Sequence, residues 1–155
     1  MKLLILSDLH LEFDQFLIPE MEDEKDIVVI LAGDIGIAKK PATYLRFIDN
    51  TANRFHTVLW VLGNHEHYKG NFPLTHSKLF MQTLDYDNVF VLEKETQVLN
   101  DVAFICATLW TDMDNNNPVV TYTAGLQMND YRYVRTGPES EPWRQKLRPI
   151  DTIAD

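Results

Sequence analysis

The sequence predicts an α/β domain built on a parallel sheet, and three observations carry that expectation. Short apolar runs recur at Leu3–Leu6, Ile27–Leu31 and Thr57–Leu62. A helical stripe lies between the second and third, so strand, crossover, strand, helix and strand follow in order. Each run ends in residues of one chemical kind, Asp, Asn or His, as expected where the carboxyl ends of parallel strands meet a ligand.

Leu3–Leu6 is wholly apolar, the pattern of a strand buried on both faces. The connection that follows is long enough for a crossover, but Pro19 and the acidic run Glu20–Asp26 argue against a helix there. Ile27–Leu31 is rich in β-branched residues and reads as the second strand. Pro41 suits a first helical turn, and Tyr44, Leu45, Phe47 and Ile48 then recur at helical spacing. Thr57–Leu62 is the third strand, and a second helix is expected over Leu74–Leu84. Val89–Leu92, Thr96–Leu99 and Val102–Ala107 read as three strands in close succession, with Asn100-Asp101 as a tight turn. Beyond Trp110 the pattern gives mixed loop and short helices, with Asn115-Asn116-Asn117-Pro118 as a loop signal. A single domain over residues 1–155 is expected.

Composition narrows the function. Hydrophobic residues make up 45% and charged residues 24%, which excludes a disordered chain. The net charge of −9 repels phosphate backbones, so nucleic acid is expected only as a substrate. Nine acidic and two basic residues lie between Met1 and Asp34, against five basic and two acidic between Arg132 and Arg148. The single cysteine, Cys106, rules out an internal disulfide and reads as a small buried hydrophobe. No apolar run approaches the ~18 residues needed to span a bilayer. Leu3–Leu6 is too short for a signal-peptide core, so the expected location is cytoplasmic.

The three strand ends carry the chemistry. The first reads Ser7-Asp8-Leu9-His10, the second Ala32-Gly33-Asp34 and the third Gly63-Asn64-His65-Glu66. Asp8 and His10 are two apart and would point to one side of an extended segment. Gly33 and Gly63 permit sharp turns just before Asp34 and Asn64. Mixed oxygen and nitrogen ligands on one sheet edge suit a borderline divalent ion such as manganese, iron or zinc.

These residues resemble the first three motifs of the calcineurin-like metallophosphoesterases, in order and spacing over about the first 70 residues. The stretch Ala107–Asp112 is similar to bacterial phosphohydrolase members, more loosely. The resemblance implies a mixed β-sandwich flanked by helices, and a hydrolase of phosphomonoesters or phosphodiesters acting through metal-bound hydroxide. Two divalent metal ions would be the cofactors. Asp8 and His10 would hold one, Asp34 would bridge both, and Asn64 would hold the second. His65 would protonate the leaving oxygen or stabilise the transition state, with Glu66 behind it as its orienter. An imidazole titrates near 6.5, which suits a histidine to proton transfer at neutral pH.

Two later family motifs, which would add three histidine ligands, have no counterpart after His76. The expectation is a domain truncated at its C-terminal side, with a second copy or another partner covering an unfinished sheet. The alternative is a catalytically incomplete remnant acting as a binding or interaction protein.

Other residues have plainer readings. His67 is expected on a solvent-facing loop, His56 as structural and His76 as a half-buried helix residue. Asp112 begins a segment like a calcium loop, but Asn117 and Thr123 stand where Gly and Glu are needed, so a solvated turn is expected. Trp110, Tyr131 and Tyr133 are candidates for a substrate cleft or for ordinary packing. Arg132 and Arg135 are candidates for phosphate binding or for a solvated basic face.

Overall fold

The computed structural model describes residues 1–138, 140–141 and 143–154. Four parallel strands form the sheet, β1 (Lys2–Leu6), β2 (Ile27–Ala32), β3 (Thr57–Val61) and β4 (Val89–Leu92), in that spatial order. The register pairs Leu4 with Val29, Leu31 with Trp60 and Val61 with Leu92. Helices α1 (Leu45–Arg54) and α2 (Thr75–Thr83) connect β2 to β3 and β3 to β4. A progressive strand order with crossovers of one hand places both helices on one face. Their Phe47, Ile48, Ala52 and Leu79 pack there on Val29, Leu31, Val58 and Trp60. Each fully buried Val or Leu in this layer contributes about 1.5–3 kcal/mol relative to exposure.

The other face is covered by a hairpin, β5 (Glu95–Leu99) and β6 (Val102–Cys106), paired antiparallel. Leu99, Phe104 and Cys106 close over Val28, Leu59 and Leu92. The hairpin leaves β1 uncovered, so Leu3 and Ile5 are 48% and 63% exposed. This corrects the expectation that the first strand is buried on both faces: its neighbours cover only the side bearing Leu4 and Leu6. The three late strands also divide. β4 joins the parallel sheet, because α2 returns the chain beside β3, while among the described residues β5 and β6 pair only with each other.

The β1–β2 connection holds no α-helix, only a 3₁₀ turn at Glu24–Asp26, as the acidic run suggested. Arg54 fastens it to α1: its guanidinium donates to the carbonyl of Pro19 at 2.9 Å and pairs with Glu24. Beyond β6 come a turn α3 (Met113–Asn116), α4 (Pro118–Gln127), α5 (Asp130–Tyr133), the short strands β7 (Arg135–Thr136) and β8 (Gln145–Lys146), and α6 (Pro149–Ile153). All four residues of α3 have left-handed φ, and Asp112 caps them by accepting the Asp114 N–H at 3.0 Å. Asp112 is therefore a turn residue. Met113, Tyr131, Val134 and Leu147 form a separate small core that ties these elements together.

Candidate metal centre

The ends of β1, β2 and β3 meet because their exits are strapped together. The N–H groups of Asp8, His10 and Leu11 donate to the carbonyls of Gly33, Asp34 and Ile35 at 3.1, 3.0 and 2.9 Å. Asp8, His10 and Asp34 all hold left-handed φ, at 54°, 46° and 57°. Such conformations cost roughly 1–3 kcal/mol each and persist where the surroundings over-determine them. Asp8 and His10 thus approach through left-handed turns, not along an extended segment as the two-residue spacing suggests. Gly63 is required at its position. A Cβ there would overlap the Asp34 carboxylate and lie 2.6 Å from the Asp34 nitrogen.

One ligand atom each from His10, Asp34 and His65 lies within 4.8 Å of the others. The Nδ1 atoms of His10 and His65 are 3.1 Å apart, with the rings edge to face. Glu12 stands beside both, its Oε1 2.8 Å from His65 Nδ1 and 3.5 Å from His10 Nδ1. Its side chain is 2% exposed, and its Oε2 is buried with no hydrogen-bond partner among the described residues. The imidazoles of His10 and His65 and the half-buried Asp34 carboxylate form a nitrogen and oxygen donor set that fits a divalent cation.

The remaining expected ligands lie at the rim of this set. The Asp8 carboxylate is 70% exposed, with Oδ1 4.0 Å from His10 Nε2. The Asn64 amide nitrogen donates to Asp130 Oδ1 at 2.6 Å and to the Tyr68 hydroxyl at 3.4 Å, so its carbonyl oxygen is what remains to face a cation. Tyr68 stacks on His65 at 4.1 Å between centroids, and burial pushes its hydroxyl up to about 12, reinforced by the Asp130 charge.

Glu66 does not orient the His65 ring. In the 3₁₀ turn His65–His67 its side chain points inward, while Glu12 meets His65 instead. Glu66 is fully buried and organises the backbone. Its Oε2 accepts from Gly63 N–H at 2.8 Å and Asp34 N–H at 3.0 Å. Its Oε1 accepts from Ile35 N–H at 2.8 Å, the Trp60 indole N–H at 3.3 Å and Gly36 N–H at 3.5 Å. Burial pushes the Glu66 carboxyl up, and these donors oppose the shift. Because all five neighbours are donors, the ionised form is the one that satisfies them. Asp34 in turn accepts the His65 N–H at 2.9 Å, so the ends of β2 and β3 lock together through two carboxylates.

Glu12 and Asp130 were not singled out in the sequence. Glu12 follows His10 by two residues, a spacing that could have marked it, but Asp130 lies 66 residues from Asn64 and carries no local signal. His67 is buried against Phe72 and Trp110, not solvent-facing, because the C-terminal elements close over it. Tyr131 belongs to the small core. A cleft of about 830 Å³, lined by Ile30, Val61, Phe104 and Ile105, reaches Asp34 and Asn64. Thr108, Leu109 and Trp110 of the stretch Ala107–Asp112 line it too.

The family model for calcineurin-like phosphoesterases matches residues 1–151, and the chain belongs to that family. An uncharacterised protein of Acanthamoeba polyphaga mimivirus is 26% identical over 145 residues, covering 84% of this chain and 50% of that protein. The chain therefore spans half the length of this curated relative. The crystal structure of a phosphopantetheinyl hydrolase from Mycobacterium tuberculosis superposes with a TM-score of 0.66 at 18% identity. That match covers 99% of this chain and 60% of the other, and it shows the fold. Family membership implies divalent metals and phosphoester chemistry. Among the described residues no helix is long and apolar enough to cross a membrane.

Proposed function

We propose that this chain hydrolyses a phosphomonoester or phosphodiester, with Asp8, His10, Asp34 and Asn64 holding two divalent ions. The observation that carries the reading is the convergence of His10, Asp34 and His65 within 4.8 Å at the ends of three parallel strands. Bound manganese, iron or zinc would neutralise phosphate oxygens and acidify a water. The chain's own residues supply the rest. Asp34, between the β1 and β3 exits, would be the carboxylate that serves both ions. His65, held by Glu12 on one side and Tyr68 on the other, is the group to move a proton to the leaving oxygen. Asp130 holds the Asn64 amide so that its oxygen faces outward.

The test is hydrolysis of bis-p-nitrophenyl phosphate and p-nitrophenyl phosphate with manganese, with chelator, and by His65→Ala. The expected result is manganese-dependent turnover that falls roughly 10²–10³-fold in H65A. Asp34→Asn should lower both metal content and rate. Turnover indifferent to chelator and to H65A would refute the reading. Full metal and full activity in D34N would remove the bridging role.

A further inference from the structure

A second hollow, of about 490 Å³, is lined by Lys39, Lys69, Lys78, Arg135, Tyr133 and Trp143. Its volume falls in the range of small-ligand sites. None of Asp8, His10, Asp34 or His65 lines it. Tyr133 packs on Tyr68 at 5.8 Å, which stacks on His65.

The charge of the hollow opposes that of the chain. The protein carries 23 acidic and 14 basic residues, yet four cations and, among the described residues, no carboxylate line this one concavity. No ion pair among the described residues engages the four. Like charges gathered in a hollow focus a positive field, which a bound anion relieves.

Four separate segments build the arrangement. Lys39 comes from the loop after β2, and Lys78 from α2. Lys69 follows the His65–His67 turn with a left-handed φ of 59°, and its N–H donates to the Tyr133 carbonyl at 3.0 Å. Arg135 donates its N–H to the Gly70 carbonyl at 3.1 Å, which binds its strand to the same loop. Trp143 and Tyr133 are 69% and 48% exposed, and no ring contact joins them among the described residues. Two large rings held open beside four cations suit a ligand that is anionic at one end and planar at the other.

The geometry points to a nucleotide-binding site in which Lys39, Lys69, Lys78 and Arg135 hold phosphate and Trp143 with Tyr133 flank the base. This site does not depend on the hydrolytic reading. It also gives Arg135 and Tyr133 a shared place, while Arg132 turns away to the Leu126 carbonyl.

The experiment is isothermal titration of the full chain with ADP, pyrophosphate and adenosine as separate probes. Chelator is present throughout, and the titrations are repeated in Asp34→Asn so that the centre contributes nothing. ADP should bind more tightly than either half. D34N should leave that affinity unchanged. The exposed double variant Lys39→Ala/Lys78→Ala should weaken ADP and pyrophosphate by roughly tenfold or more. Trp143→Ala should weaken ADP and leave pyrophosphate unchanged. Circular dichroism confirms that each variant remains folded. Absence of saturable binding, indifference to K39A/K78A, or loss in D34N would overturn the site. Equal affinity for ADP and pyrophosphate, with no effect of W143A, would overturn its nucleotide assignment.

Discussion

Replacing Glu66 by Gln changes one oxygen into an amide nitrogen and preserves shape. In most settings that substitution is mild, but here both carboxylate oxygens are fully used. Oε2 accepts from Gly63 and Asp34, and Oε1 from Ile35, Trp60 and Gly36. Whichever way the amide is placed, its NH₂ confronts at least two N–H donors in a site with no water access. Each hydrogen bond to a charged group contributes about 1.5–3 kcal/mol, so losing two costs about 3–6 kcal/mol. Domains of this size have about 5–15 kcal/mol in total, so the loss is a large share. Removing the carboxylate's desolvation offsets part of it, which places the expectation at the lower end. Urea denaturation followed by far-UV circular dichroism measures it. Trp60→Phe, which withdraws a single 3.3 Å bond, serves as the scale and should cost less. The same change frees the backbone at Gly63 and Asp34, so manganese retention should fall as well. A ΔΔG within ~0.5 kcal/mol of wild type, with metal retained, would refute the claim that this carboxylate organises the centre.

Three further outcomes are expected. Asp130→Ala releases the Asn64 amide and should weaken manganese binding roughly tenfold by equilibrium dialysis, since partners behind a ligand typically contribute 10–100-fold; unchanged affinity would exclude Asn64 as a held ligand. Adding manganese at about 100 times its dissociation constant should stabilise the fold by about 2.7 kcal/mol. That corresponds to a Tm rise of roughly 5–10 °C, reversed by chelator, and Asp34→Asn should abolish it. The Arg54 guanidinium pulls the Glu24 carboxyl down from 4.5 to about 2, helped by the Met21 N–H. A lowered folded-state value means that this stabilisation is fully present above about pH 4.5 and is lost as the pH falls towards 2. Arg54→Ala should therefore flatten the acid limb of a stability–pH profile between those values, and an unaltered limb would deny the pair its role.

Local patterns were enough to mark the sheet and the strand ends that carry His10, Asp34 and His65. Buried parallel strands need continuous apolar runs, and those runs marked β2 and β3 nearly to the residue. Their ends are contiguous with the motifs, so His10, Asp34 and His65, which the fold gathers within 4.8 Å, were legible as local text. Features that depend on which surfaces meet emerge only in the folded chain. Leu3 and Ile5 read as core, yet stand exposed because the β5–β6 hairpin stops short of β1, a distance no local pattern encodes. Glu66 read as the orienter of its sequence neighbour, but a tight 3₁₀ turn sends adjacent side chains apart, and Glu12 arrived from another strand exit. Asp130 reaches Asn64 from 66 residues away, and Lys39, Lys69, Lys78 and Arg135 gather from four segments. Periodicity and motif report the neighbours along the chain, whereas hydrogen bonds and fields act through space, so only the folded chain shows which charges share a site.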